Sequence, residues 1–271
     1  MTTAYDLLFA TADENTASYR VGGPSSVDRP ATAPSGWIGS QGPAIGEARW
    51  PRGPLTGLPM FHILTLRLPD EWHEHNLGFP AFALFQGEGQ FAEEGDADPA
   101  DPFVVQLAAS APHPTLTLHE DIIGGAFALV RLDAGEWAGG PTPPPVDVRR
   151  EGEHAPDDEG PNAWDDLHPT VPVWLAERPD PNAGLAPVEA IGAAAEGPYR
   201  QPLGPDYVYA DWALAIFDRA HLGGTAFPVQ GVPAGLGPWY LEIPELPGMN
   251  IGGDGILQLD LAAPLLDWAC G

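Results

Sequence analysis

Glycine and proline interrupt this chain so often that few long helices or strands can form. The 271 residues include 33 glycines and 33 prolines. Glycine favours turns because it adopts left-handed backbone angles, and proline does so because it fixes φ and lacks an N–H donor. Nine Trp, ten Phe and six Tyr residues, spread along the chain, supply side chains for a core. We therefore expect a folded, β-rich α+β protein of short, mostly antiparallel strands.

Short apolar runs bounded by glycine or proline predict the individual strands. These runs are 59–68, 79–86, 103–110, 114–120, 126–133, 170–179, 238–246 and 255–261. Residues 4–15 and 207–221 fit either a helix or a strand, and residues 184–197 have a helix-favouring composition. Residues 70–78 are predicted to form one or two helical turns, and residues 20–54 are predicted to be rich in loops.

The chain carries a formal net charge of −27, and all eleven basic residues are arginine. Such a field repels nucleic acid and anionic membranes and attracts basic partners. A GC-rich coding bias or salt adaptation would also give an acidic, lysine-free composition. No apolar run reaches membrane-spanning length, the first residues lack a leader pattern, and the single Cys270 cannot form an internal disulfide. We expect a cytoplasmic protein with no nucleic-acid or membrane partner.

The two ends of the sequence share a similar order of motifs. Residues 20–134 carry a GG pair, a W-P pair and two apolar strands, and residues 167–271 carry a GG pair followed by two apolar strands. This order predicts an internal duplication within a single domain, 1–271. The Pro-rich acidic segment 135–166 is predicted to join the two related halves.

These motifs resemble those of the YwqG-like bacterial family, a domain of unknown function. The residues that carry the resemblance are Gly22, Gly23, Trp50, Pro51, 61–68 and 82–86 in the first half, and His221, Gly223, Gly224, Pro228, Gln230, 240–243, Gly253, Asp254, Gly255 and 256–261 in the second. Glu242 stands where the family carries glutamine, so the chain resembles a divergent member. The resemblance implies an α+β fold of two related β-rich halves and no particular catalytic activity.

The stretch 221–233, HLGGTAFPVQGVP, poses a choice between chemistry and structure. No lysine follows its glycines and no G-x-G-x-x-G opens a helix, so a phosphate-binding loop is excluded. Gly223 and Gly224 permit positive φ, and Pro228 fixes a bend. Gln230 can bind backbone groups at the rim of a sheet. We interpret the stretch as the lead-in to a sheet.

Four side chains are candidate ligand or cleft residues where the two halves meet: His221, Gln230, Asp254 and Gln258. Asp254 lies between glycines, so its carboxylate has a purely structural alternative, which is to close a turn.

The patterns of common catalytic and metal sites are incomplete in this sequence. There is no G-x-S-x-G or H-E-x-x-H motif, and Cys270 has no histidine near it along the chain. The spacing of Asp96, Asp98 and Asp101 departs from that of a calcium loop. Zinc would require separate segments to converge, and scattered surface residues are the simpler reading of this set: His73, Glu74, His75, His119, Glu120, Asp121 and His221. We predict no catalytic residue, cofactor or metal.

Two functions remain open from the sequence. The first is a non-catalytic acidic cytosolic binding protein of the immunity type, which neutralises a basic protein partner, with Trp72, Trp137 or Trp164 as exposed anchors. The second is an uncharacterised enzyme or small-ligand binder with a cleft between the halves. Convergence of His221, Gln230 and Asp254 on a pocket would favour the second function, and their separation into satisfied turns would favour the first.

Overall fold

The described residues form one antiparallel sheet with a few short helices. The computed structural model describes residues 3–9, 32–89, 102–145, 168–188, 197–204, 206 and 208–271. The strands in these ranges are β1 Ala4–Phe9, β2 Gly36–Ile38, β3 Phe61–Arg67, β4 Ala81–Gln86, β5 Leu116–Glu120, β6 Ala126–Leu132, β7 Val171–Arg178, β8 His221–Leu222, β9 Tyr240–Pro244, β10 Ile256–Asp260 and β11 Leu266–Ala269. The helices are α1 Pro102–Ala108, α2 Ala134–Ala138, α3 Asp211–Leu214 and two 3₁₀ helices, Glu47–Arg49 and Asp70–Asn76. The predicted β-rich, antiparallel α+β class is confirmed.

The strand order brings strands from the two halves of the chain together at the centre of the sheet. The order is β11-β10-β9-β8-β1-β7-β2-β3-β4-β6-β5. β1 pairs with β7 and β8, and β7 pairs with β1 and β2. Apart from the edge strand β5, exchanging β1, β2, β3, β4 and β6 with β7, β8, β9, β10 and β11, respectively, gives the same order read from the opposite edge. A duplicated chain would give this order, and the duplication itself stays a prediction.

The main core lies on one face of the sheet and draws on strands from both ends of the chain. Alternate side chains of β4 point to opposite faces: Phe82 and Leu84 join this core, whereas Ala83 and Phe85 join a second cluster with Trp50. Because both faces of β4 are buried, its sequence is apolar throughout instead of alternating.

Side chains link the two edges of the sheet. Trp268 on the edge strand β11 donates its indole N–H to Asp121, which directly follows the other edge strand β5, at 2.6 Å. Arg131 on β6 donates to the carbonyl of Leu261, just beyond β10, at 3.1 Å. The sheet therefore curves until it is nearly closed, and side-chain bonds connect its ends.

The Trp268→Phe substitution tests this closure. It keeps an aromatic ring but removes the N–H, so one oxygen of Asp121 loses its donor, and we expect the free energy of unfolding to fall by about 1–2 kcal/mol. Urea denaturation measures the loss. In the double variant Trp268→Phe with Asp121→Asn, the loss of unfolding free energy should be smaller than the sum of the losses in the two single variants. Strict additivity would show that the hydrogen bond contributes nothing.

One strand prediction is wrong. Residues 103–110 are not a strand, because Pro102–Ala108 form the helix α1. Proline favours the first position of a helix, where its missing N–H costs nothing, so Pro102 starts the helix. Val105 is 63% exposed, so the apolar run is not buried in the sheet.

The ambiguous segments are assigned as follows. Residues 4–9 of the segment 4–15 are strand β1, and the segment 207–221 contains α3 and the first residue of β8. The predicted turns at 70–78 form a 3₁₀ helix. Residues 184–188 are not helical, and the rest of that predicted helix up to 196 lies outside the described residues, as do Gly22, Gly23 and 146–166. None of the helices in the described ranges is long and apolar enough to cross a membrane.

Candidate functional site

The structure separates the four predicted site residues into two pairs. His221 on β8 and Gln258 on β10 are buried. Gln230 and Asp254 are exposed and lie on surface turns. Gln230 donates to the carbonyl of Cys270 at 2.9 Å, just beyond β11, which is the role at the sheet rim that its sequence context predicts. Asp254 adopts a left-handed conformation with φ 54 in the turn between β9 and β10.

His221 and Gln258 meet at a third buried side chain, Glu242 on β9. In the sheet register, His221 and Gln258 are the direct cross-strand neighbours of Glu242 on its two sides. Gln258 donates its amide N–H to Oε2 of Glu242 at 3.1 Å, and Nε2 of His221 lies 3.8 Å from Oε1. The backbone N–H of Phe227 reaches both carboxylate oxygens, at 2.9 and 3.1 Å. Glu242 is therefore the centre of a buried polar cluster.

Burial shifts the pKa of both ionisable groups toward the neutral form. It raises the pKa of Glu242 to about 7, against the opposing effects of the Gln258 and Phe227 hydrogen bonds and the Arg178 charge. It lowers the pKa of His221 well below its ordinary value, and the charge of Arg178 acts in the same direction. The histidine is therefore neutral at pH 7, where the glutamate is close to its midpoint.

The protonation of His221 follows from its partners. Nδ1 lies 2.8 Å from the carbonyl of Arg219, which can only accept, so Nδ1 carries the proton. Nε2 then has a free lone pair, 3.4 Å from the hydroxyl of Tyr240. That hydroxyl also lies 3.1 Å from the carbonyl of Gly224, and burial raises the pKa of Tyr240 well above its ordinary value.

The loop after β8 covers this cluster, and its backbone N–H groups bind protein atoms. Thr225 donates to Asp180 at 3.0 Å, Ala226 donates to the hydroxyl of Tyr199 at 3.1 Å, and Phe227 donates to Glu242. Gly224 has φ 87, and a Cβ there would lie 2.5 Å from the Asp180 carboxylate. The glycine thus lets the chain pass close to Asp180, in agreement with the structural interpretation of this stretch.

A second buried network, built on Arg178, lies beside the loop. Arg178 donates to Asp6 at 2.8 Å and to Asp180 at 2.9 Å. Asp6 also pairs with Arg219 at 2.5 Å. Asp180 accepts further hydrogen bonds from Thr225 and from the N–H of Asn182. The carboxylates of both networks are thus partnered within the protein.

Three of the side chains considered for zinc are engaged in other contacts. His75 stacks on the ring of Trp239 at 3.5 Å, and His73 contacts the carbonyl of Leu68 at 3.2 Å. Asp121 accepts from two backbone N–H groups and from Trp268. In the part of the chain that the structure describes, no group of three His, Cys, Asp or Glu residues is placed to hold a metal ion.

Sequence reasoning missed the centre of the cluster. It noted Glu242 only as a replacement for glutamine, and it did not single out Arg178, Asp180 or Tyr199. The available signal was a charged residue within the otherwise apolar strand YLEIP. A carboxylate in such a strand is buried only when hydrogen-bond donors surround it.

We found no match between the chain and any protein family, curated protein or solved structure. The resemblance to the YwqG-like family therefore stays a prediction.

Proposed function

We propose that this protein is a non-catalytic, acidic cytoplasmic binding protein of the immunity type, which neutralises a basic protein partner. The observation that carries the proposal is the formal net charge of −27 on a chain without lysine. A charge of this size attracts basic proteins over long distances and speeds their association.

Three of the described arginines are held by other groups of the protein, which supports this proposal, and three others are exposed. Arg131 and Arg178 are buried, and Arg219 pairs with Asp6. Arg131 donates to Thr117 and to a backbone carbonyl, so its guanidinium serves the closure of the sheet. The guanidinium groups of Arg131 and Arg178 bind interior groups, and that of Arg219, whose side chain is 28% exposed, binds Asp6.

The geometry of the candidate site favours a binding protein over an enzyme or small-ligand binder. The second function needs His221, Gln230 and Asp254 to share a pocket, whereas only His221 is buried. In the buried cluster, both carboxylate oxygens of Glu242 accept hydrogen bonds from the backbone N–H of Phe227. The polar groups of this cluster therefore bind one another.

The aromatic anchors suggested by the sequence need correction. Trp72 is completely buried, because its ring packs edge-on against Trp239 at 5.0 Å. Trp137 is half-buried and stacks on Trp37 at 5.3 Å, and Trp164 lies outside the described residues. A binding surface must therefore use other apolar side chains.

Salt dependence of binding tests the proposal. The immobilised protein should capture a basic protein from a lysate of the source cells at low salt. The purified partner should then associate about tenfold more slowly at 0.3 M than at 0.05 M salt, because screening weakens steering. Stopped-flow fluorescence measures the rate, and an assay of the partner's own activity measures neutralisation. Capture of only acidic or neutral proteins, or an association rate that salt does not change, would contradict the proposal.

A further inference from the structure

Three large apolar side chains are exposed on one short surface segment, residues 208–218. Val208 is 66% exposed, Leu214 is 54% exposed and Phe217 is 39% exposed. The segment folds back on itself, because the ring of Tyr209 lies 4.7 Å from the ring of Phe217. We call these three residues the apolar patch. Exposed apolar groups at this density are typical of interaction surfaces.

Phe217, one residue of the apolar patch, is held in place from beneath. Phe217 and Tyr209 pack on the ring of Phe227 at 5.5 and 5.8 Å. The backbone of Phe227 is bound to the buried Glu242. On the other side, Arg219 donates to the carbonyl of Ala215 at 2.7 Å. A side chain fixed in this way loses little conformational entropy when it binds.

Three exposed carboxylates lie close to the apolar patch along the chain: Asp206, Asp211 and Asp218. Two arginines lie nearby, and both are held by other groups. Arg200 lies over the ring of Trp212 at 4.5 Å, and Arg219 pairs with Asp6. An apolar centre with a polar rim is the usual anatomy of a protein interface.

We infer that the apolar patch and these three aspartates form the face that binds a basic protein, through a segment that combines lysine or arginine with large apolar side chains. This inference rests on the proposed function and adds the location of the interface. Charge complementarity selects the occupant. A second copy of the chain would bring like-charged rims together on two molecules of net charge −27, which opposes self-association.

Two matched peptides and two matched variants test the inference. The probes are labelled 12-residue peptides, one alternating Lys and Leu and one alternating Lys and Ser. The rim variant carries Asp206→Asn, Asp211→Asn and Asp218→Asn, and asparagine tolerates the positive φ at 218. The control variant removes three exposed charges elsewhere, with Asp70→Asn, Glu74→Gln and Glu120→Gln.

We expect the Lys/Leu peptide to bind wild-type protein about tenfold more tightly than the Lys/Ser peptide, as measured by fluorescence anisotropy at 0.1 M salt. The rim variant should weaken binding of the Lys/Leu peptide about tenfold, and the control variant should weaken it less than about threefold. The double variant Val208→Ser with Leu214→Ser should remove the preference for leucine. The exposed pair Leu118→Ser with Ile122→Ser should leave that preference unchanged.

Equal losses in the rim and control variants would overturn the inference, because binding would then follow total charge alone. Equal binding of the two peptides, or binding of neither, would also overturn it. Circular dichroism checks that each variant is folded. The captured basic partner separates this inference from the proposed function: a partner that binds wild type and rim variant equally refutes the patch alone, whereas the absence of any basic partner refutes the function.

Discussion

Replacing Arg178 with methionine is expected to lower the free energy of unfolding by about 3–5 kcal/mol. The Arg178 side chain is 4% exposed and bonds Asp6 at 2.8 Å and Asp180 at 2.9 Å. Methionine fills much of the same space but supplies no charge or donor. Asp6 keeps Arg219, so most of the cost comes from Asp180, whose side chain is fully buried.

Urea denaturation of Arg178→Met and of a matched control measures this cost. Arg67 is exposed at the end of β3, so Arg67→Met should change the free energy of unfolding by less than about 0.5 kcal/mol. Asp180→Asn in the Arg178→Met background should recover part of the loss, because it removes the unpaired buried charge. A loss for Arg178→Met no larger than that of the control would show that the ion pairs add no net stability.

Local sequence predicted most of the strands because their limits are set by local stereochemistry. The runs 59–68 and 126–133 contain β3 and β6, and prolines or turn residues bound them. The failure at 103–110 has the same origin: an apolar, β-branched run looks like a strand whether or not it is buried. Only the tertiary structure shows that Val105 points into solvent.

The strand order and the ion pairs could not be predicted in the same way. Asp6 and Arg178 are 172 positions apart, and no local pattern relates them. The burial of Trp72 was hidden because its neighbours Asp70, Glu71 and Glu74 indicate an exposed segment. Its burial depends on Trp239, a residue from the other end of the chain.

The candidate site was half predictable. The sequence picked out His221 and Gln258, which do contact a common group, but it placed Gln230 and Asp254 with them, and these lie on the surface. Glycine-rich context identifies a turn without saying what the turn faces. The contacts of His221 and Gln258 with Glu242 depend on the register of β8, β9 and β10, which only long-range pairing fixes.

The Glu242→Gln substitution is expected to stabilise the protein at pH 8 by about 3 kcal/mol. Burial raises the pKa of Glu242 from an ordinary 4.5 to about 7, and each unit of difference corresponds to about 1.4 kcal/mol. Glutamine remains neutral at every pH. Its carbonyl can accept from Phe227, and its N–H₂ can donate to Gln258 once that carboxamide turns over. The gain comes from removing a charge that the wild-type protein must bury.

The effect of Glu242→Gln on stability should change with pH in a definite direction. The stabilisation from a raised carboxyl pKa is complete below pH 4.5 and is lost as the pH rises through 7, so the difference between Glu242→Gln and wild type should grow over that window. His62 has the opposite effect on the pH dependence of stability, because its pKa is lowered to about 4. The stability that its neutral form contributes is lost as the pH falls from 6.5 toward 4. His221 acts in the same direction as His62.

Subtracting the wild-type curve from that of Glu242→Gln isolates the carboxyl, because both proteins share the two histidines. Chemical denaturation between pH 4 and pH 8 should give a difference near zero at the acid end that rises through pH 7. Glu74→Gln is the matched control, since its side chain is 80% exposed, and its difference curve should be flat. A difference for Glu242→Gln that is independent of pH would mean that folding does not change the pKa of Glu242, and a difference that falls as the pH rises would mean that folding lowers this pKa. In the second case, the hydrogen bonds from Phe227 and Gln258 would outweigh the cost of its burial.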